Sequence, residues 1–308
     1  MTVTVYEVGP RDGLQSIKPF IDTDIKRQLI SALYEAGLEN IEEVSFAHPR
    51  LVPQMSDAED VFTGIGAGLV MNQRGFERAR IINVEKINLV ISPCETFSMK
   101  NLGKPHSEVV HEYWSFMNGY PKDKVRVYIS MAFGSPNSGE VTKHRMKAML
   151  RDVALFGDTV VFSDTIGVGC TDDVHTWVRM ARDENLTPAL HLHHKGDELK
   201  ALQLIRAGLI AGVTEFDSSI GGLGGCPFAE GSGANLSTET LVRHLNLWGI
   251  DCGIHEESLN KATKIAWKIK NKNAIAIWCG TVGWSRCPRS TLHGLLSKQC
   301  RVTLELSK

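Results

Sequence analysis

The stretch VTVYEVGPRDGLQSIKPFIDTDIKRQLISALYEAGLENIEEVSF, residues 3–46, holds one complete strand–helix–strand unit. Val3–Val8 is a short run rich in β-branched residues that Gly9 and Pro10 interrupt. Ile25, Leu29, Leu33 and Ala36 then recur at helical spacing, with Thr23 as the expected N-cap and Gly37 as the stop. Ile41–Phe46 returns to strand character. Strands that are apolar almost throughout are those covered on both faces, as in a parallel sheet whose crossovers are helices.

The same rhythm continues outward. Further strands are expected at Gly68–Asn72, Ile87–Ile91, Val125–Met131, Thr159–Ser163, Ala189–His193 and Thr214–Asp217. Helices are expected at Ser107–Met117, Thr142–Phe156, Asp172–Asp183, Glu198–Ala207 and Ser237–Leu247, with two less regular segments between Gln54 and Asn83. About eight β/α units in about 250 residues are the arithmetic of an α/β chain folded as a (β/α)8 TIM barrel. A doubly wound sheet would place a glycine-rich phosphate turn after its first strand, and neither GxGxxG nor GxxxxGK[ST] stands there. Residues 1–250 are therefore expected to form a catalytic barrel, and residues 251–308 a C-terminal helical and loop extension packed on it. Within the extension, Glu256–Lys272 reads as a helix and Gly280–Thr291 as a loop.

Composition narrows the classes of function. The 34 Lys+Arg against 35 Asp+Glu give a formal net charge of −1, which excludes a broad basic surface for a nucleic acid. Apolar runs such as Ala274–Trp278 fall short of the roughly 18 to 20 residues needed to cross a bilayer, so no membrane span is expected. The N-terminus enters strand character at once, without a signal or transit pattern, which points to a cytoplasmic protein. Seven cysteines, an odd number in a chain of 308, point to reduced thiols. The extension could supply the interface of a homodimer.

In a barrel the chemistry lies at the carboxyl ends of the strands. Glu7–Gln15 carries Arg11-Asp12 in a turn held by Gly9, Pro10 and Gly13. This is either a solvated ion pair, or a cation ligand (Asp12) beside a group that stabilises an anion on the substrate (Arg11). His191 and His193, two apart on the seventh strand, face one side and can both enter a metal site, although one could be merely packed. His194 beside them is an additional acid/base or a loop residue. Gly221–Pro227 concentrates glycine, which suits close backbone approach or a lid, and carries Cys226 either as a working thiol or as a bystander. Asn235 offers an amide oxygen to a metal or caps the next helix. Glu42 and Asp164, the latter followed by Thr165, are site acids or interior ion-pair partners. One carboxylate, two imidazoles and an amide oxygen suit Mg²⁺ or Mn²⁺ better than Zn²⁺ and leave room for a chelating substrate. A cation beside an arginine suits the making or breaking of a carbon–carbon bond, with a thiol or imidazole to handle the proton.

EVGPRDGLQ (7–15) and GLGGCPFAEGSGANLSTE (222–239) together resemble the 3-hydroxy-3-methylglutaryl-CoA lyase family, a branch of the metal-dependent TIM-barrel lyases. The resemblance spans residues 3 to 247. Related synthases share the Arg-Asp turn and the His-x-His strand, whereas GLGGCP points to the lyases. The resemblance implies that Asp12, His191, His193 and Asn235 hold the metal, that Arg11 stabilises an enolate, and that Cys226 sits on a mobile loop. It further implies that Glu42, Asp164 and His191 serve catalysis and that Gln15, Lys18, Gly224 and Gly225 lie at the substrate. The implied reaction is retro-Claisen cleavage of an acyl-CoA, to acetyl-CoA and acetoacetate for the parent substrate. Three stretches depart from the family. His194-Lys195-Gly196-Asp197-Glu198 replaces a turn that usually continues Asp-Thr, Ser130–Asn137 replaces a cysteine-rich strand end, and residues 250–308 do not match the family tail. His194 and Lys195, expected to face the substrate, would then alter the acyl group accepted, or turn the site toward condensation or another hydroxy acid.

Overall fold

The computed structural model describes residues 2–225 and 233–282, with side chains through residue 271. Its strands are β1 (Thr4–Glu7), β2 (Asn40–Ser45), β3 (Ala67–Leu69), β4 (Lys86–Ile91), β5 (Val125–Ser130), β6 (Thr159–Asp164), β7 (Thr187–His194), β8 (Glu215–Ser218) and β9 (Ala234–Asn235). Strands β1 to β8 pair in parallel, each with the next, and β8 pairs back to β1, so the sheet closes into a barrel. The ninth strand is an antiparallel hook on β7, with His193 opposite Asn235 and His194 opposite Ala234.

The helices are α1 (Thr23–Glu35), α2 (Ala58–Val61), α3 (Gln73–Ile81), α4 (Glu95–Leu102), α5 (His106–Met117), α6 (Lys143–Phe156), α7 (Thr171–Asp183), α8 (Glu198–Ile210), α9 (Thr238–Leu247) and α10 (Asn260–Val282). Their apolar stripes face the sheet: Leu29, Ile30 and Leu33 on α1, Met146, Met149, Leu150 and Val153 on α6, and Val174, Val178 and Ala181 on α7 are all buried. Burial of such a side chain contributes about 1.5–3 kcal/mol, which fixes the ring of helices against the outside of the barrel. A separate cluster from four adjacent strands, Val90, Tyr128, Val161 and Ala189, packs on the inside.

Several local expectations are corrected. Thr23 is the first helical residue, not the cap: Asp22 occupies that position, and the Thr23 hydroxyl donates to Asp57 Oδ2 at 2.7 Å. Thr142 and Ser237 do cap α6 and α9, accepting from the backbone N–H of Arg145 and Thr240. The vague region between Gln54 and Asn83 contains a 3-10 turn, α2 and α3. Helix α4 was not expected, because it follows a strand after only three residues and shows little amphipathic pattern. Helix α10 runs through Val282, so Gly280 to Val282 are helical, not loop. The rest of that expected loop, and the chain to residue 308, lie outside the described residues. Ala262, Ala266 and Ile269 of α10 are buried, and Lys261 Nζ meets Glu35 of α1 at 2.6 Å. Among the described residues, no helix is long and apolar enough to cross a membrane.

Candidate active site

Directly after β1 the chain makes one π-type turn, Gly9–Gly13, in which the Val8 carbonyl accepts from the N–H groups of Arg11, Asp12 and Gly13 at 3.2, 2.7 and 3.2 Å. Gly13 is needed there, since a Cβ would lie 2.9 Å from both Leu223 Cβ and Ser219 Oγ. The turn delivers Arg11 and Asp12, both buried, to the barrel mouth. Arg11 forms an ion pair with Glu42 and donates through Nη1 to Asp12 Oδ1 at 2.7 Å. Gln15 Nε2 donates to the same oxygen at 2.7 Å, and Glu42 is steadied by Asn88 Nδ2 at 2.7 Å. Burial alone would raise the Asp12 carboxyl, but Arg11 and the two nearby imidazoles outweigh it and hold it at about 2.

Those imidazoles come from β7. His193 Nδ1 lies 3.0 Å from the Thr165 carbonyl, which can only accept, so the ring proton sits on Nδ1. His191 Nδ1 lies 3.1 Å from Asp217 Oδ2. For Asp217 burial would raise the carboxyl, yet Arg126 and His191 prevail and keep it ionised, so His191 Nδ1 also donates. The two Nε2 atoms then face each other at 3.0 Å, a pairing that requires a proton or a cation between them. Burial, reinforced by His191, depresses His193 to about 4, so at neutral pH it is an uncharged donor atom.

Asn235 enters on β9. Its Nδ2 donates to Asp12 Oδ2 at 2.8 Å and to the Leu223 carbonyl at 3.0 Å, while its buried Oδ1 has no partner. Donor atoms of Asp12, His191 and His193 all lie within 4.8 Å of one another. An orphaned amide oxygen and two facing ring nitrogens beside a carboxylate fit a bound divalent cation, because the amide oxygen would otherwise be left unsatisfied and the two nitrogens opposed. Gly224, at φ +104°, closes over this group: a Cβ would sit 2.7 Å from Asn235 Nδ2 and 3.0 Å from the Asp12 carbonyl oxygen. Gly225 follows it, and Cys226 lies outside the described residues.

A cavity of about 260 Å³ opens over the donors. Arg11, Asp12, Gln15, Tyr128, Ser130, Ser163, Thr165, His191 and His193 line one arc of it. Val52, Leu69, Met71, Val90, Phe97 and Leu102 line the other, with Lys100 also on the lining. Glu42 and Asp164 are not on the lining. Glu42 lies behind Arg11, and Asp164 accepts from the N–H groups of Val168 and Gly169, both at 2.9 Å, to hold the turn after β6. Lys18 is exposed and off the lining. His194 is also off it, since on an extended strand the neighbour of His193 points to the opposite face. It lies 3.7 Å from Glu198 in a different cleft bordered by Trp267 and Lys270, and Lys195 beyond it is exposed.

Residues that the sequence did not single out complete the site. Asp217 is bound on three sides, by His191, by Tyr128 Oη at 2.9 Å and by Arg126 Nη2 at 2.8 Å. Arg126 also pairs with Glu215 and lies 3.7 Å over the ring of Tyr6. The available signal was charge inside apolar strands: a buried Asp217 demands a cation, and Arg126 on β5 is one.

The family model described as HMGL-like matches residues 2–266. The chain belongs to this hydroxymethylglutaryl-CoA lyase-like family. It is a carbon–carbon lyase. Mouse mitochondrial hydroxymethylglutaryl-CoA lyase is 35% identical over 270 residues, covering 84% of this chain and 83% of its own length. Hydroxymethylglutaryl-CoA lyase YngG of Bacillus subtilis is 36% identical over 274 residues, covering 85% and 91%. The structure of an HMG-CoA lyase from Acinetobacter baumannii in complex with coenzyme A and 3-methylmalate is similar with a TM-score of 0.81 at 28% identity, covering 87% of this chain and 91% of that one. Within this lyase-like family fold, the motifs at 7–15 and at 222–225 meet across β1 and β8, as the contact of Gly13 with Leu223 shows.

Proposed function

We propose that the protein cleaves a 3-hydroxy-3-methylglutaryl-CoA-like thioester in a metal-dependent retro-Claisen reaction, giving acetyl-CoA and a 3-oxo acid, acetoacetate for the parent substrate. The observation that carries this reading is the convergence of Asp12, His191, His193 and the orphaned Asn235 Oδ1 beside Arg11 at the head of one cavity. Asp12, His191, His193 and Asn235 would hold Mg²⁺ or Mn²⁺. When bound, that ion supplies Lewis acidity to the substrate's hydroxyl and carboxylate oxygens.

In the cleavage the tertiary hydroxyl loses its proton and becomes the carbonyl of the 3-oxo acid. The C2–C3 electron pair passes into the thioester as an enolate, and C2 then takes up a proton. Arg11 keeps its charge throughout, is fixed by Glu42 and Asp12, and is assigned to the enolate oxygen, where a preorganised cation acts most strongly in the transition state. Glu42 is thus a positioning residue. Cys226, on the segment after Gly225, is assigned to carry the proton, while His191, whose Nδ1 donates to Asp217, serves as a metal donor with no nitrogen free for that role. Gln15 and the backbone of Gly224 and Gly225 are assigned to hold the substrate. The expectation of an altered acyl preference rests on the His194–Lys195 turn, and that turn lies off the cavity.

The test is purified protein with Mn²⁺ or Mg²⁺ and 3-hydroxy-3-methylglutaryl-CoA, with acetyl-CoA and acetoacetate measured and a chelator stopping the reaction. Absence of product from this thioester and from its close 3-hydroxyacyl analogues would overturn the reading.

A further inference from the structure

Strand β4 reads KINLVI, and Asn88 is the one uncharged polar residue in it. A side-chain amide is out of place in a buried strand, since burying it costs free energy unless its polar atoms find partners. Asn88 is nonetheless only 1% exposed. It lies two residues before Val90, so it points into the barrel as Val90 does, but one layer deeper, and it is not on the cavity lining. Any part it takes in the reaction must pass through another residue.

That residue is Glu42. Arg11 grips the Glu42 carboxylate on one side, with its Nε and Nη2 both reaching Oε2. A carboxylate held at one oxygen can swing about it, unlike one that meets a guanidinium with both. The other oxygen, Oε1, accepts from Asn88 Nδ2 at 2.7 Å. Strand β3 lies between the two and opposes Glu42 with Ala67, whose single methyl group leaves them room to meet. Because the carboxylate accepts, the amide must turn its nitrogen toward Glu42, which fixes its orientation. The amide is also held from below. The Tyr6 hydroxyl faces its edge, 3.1 Å from Nδ2 and 3.5 Å from Oδ1, and the Arg126 guanidinium lies 3.7 Å over the centre of the Tyr6 ring.

We propose that Asn88, aimed by Tyr6, is a positioning residue for the reaction: it fixes the plane of the Glu42 carboxylate and thereby the guanidinium of Arg11. The proposal rests on the lyase reading and on the assignment of Arg11 to the enolate oxygen. A preorganised charge acts only while it points at the reacting atom, and a displacement of about 1 Å costs up to about 100-fold. The experiment is a double-mutant cycle on kcat, with 3-hydroxy-3-methylglutaryl-CoA and Mn²⁺. Asn88→Leu keeps the volume and removes the donor. It should lower kcat by about 10- to 100-fold with KM within about threefold, because the enolate charge develops only on the way to the transition state. In the Arg11→Met background the same substitution should change kcat by less than about twofold, since no guanidinium is left to aim. Tyr6→Phe leaves the bond from Asn88 to Glu42 but frees the amide, and should follow the same pattern with a loss of about fivefold. It carries the comparison where circular dichroism shows that Asn88→Leu does not fold. Equal losses in the two backgrounds mean a structural role and overturn the proposal alone, as does a kcat for Asn88→Leu within about twofold of the unmodified protein. A loss under about tenfold for Arg11→Met itself overturns the assignment of Arg11, and absence of turnover by the unmodified protein overturns the lyase reading; either result takes this proposal with it.

Discussion

The two arcs of the barrel mouth are built on opposite principles. On the polar arc, from β1 and β5 to β8, the charged groups at the donors are buried and each is held by a polar partner, with Glu42 of β2 and Asn88 of β4 reaching in from behind: Arg11 by Glu42, Glu42 by Asn88, His191 by Asp217, Asp217 by Arg126. On the arc of β2 to β4 and α4 the apolar side chains on the cavity, Val52, Val90 and Phe97 among them, are held by packing. Charge inside a protein is tolerable only when paired, so each member of the polar arc restricts its neighbours to one geometry, whereas an apolar wall can change volume at moderate cost. Positional accuracy therefore belongs to the first arc and adjustability to the second.

This contrast can be broken by experiment. The largest effect is expected from Arg11→Met, which should lower kcat by about a thousandfold or more with an unchanged far-UV circular dichroism spectrum; a loss under about tenfold would remove Arg11 from the reaction. Next, Leu69→Ala should lower unfolding free energy by about 2–4 kcal/mol in urea denaturation while leaving Mn²⁺ affinity within about threefold, and a larger change in metal binding would mean that the arcs are coupled. Asp217→Asn should weaken Mn²⁺ binding by about 10- to 100-fold in calorimetry, because the carboxylate that orients His191 is lost. Full affinity in that variant would leave the Arg126–Asp217 pair with a purely structural role.

The last test concerns the seam beneath the polar arc. Glu7 is fully buried, and burial raises its carboxyl from 4.5 to about 8 even though Gly9, Ile220 and Thr238 donate to it. The folded state then holds a proton that the unfolded state releases near 4.5. This contribution to stability is complete below that value and is lost as pH rises toward about 8. The unfolding free energy should fall as pH rises across that window, by at most about 1.4 kcal/mol per pH unit, and Glu7→Gln should flatten the slope.

Much of this was legible from residue spacing. The strands announce themselves as apolar runs, and the two-residue period places His191 and His193 on one face. The same period, applied one residue further, would have placed His194 on the other face, away from the cavity that Arg11 and Asp12 line. Asp217 and Arg126 could not be paired from the chain alone, because they lie 91 residues apart and meet only when β5 and β8 face each other across the closed barrel. The hook of β9 was equally hidden: two residues give no periodicity, and its existence depends on the free edge of β7 above the end of β8. Asp164, which its place at a strand end makes either a site acid or an interior partner, accepts from the N–H groups of its own turn.

That hook has one further consequence. His193 and Asn235 are direct partners in the ladder, so the backbone register of a two-residue strand sets the spacing of two proposed metal donors. The connection from Gly225 to Gly233 is thereby released from any duty to measure that distance. A residue gained or lost between them would leave the spacing of His193 and Asn235 to the same two ladder partners.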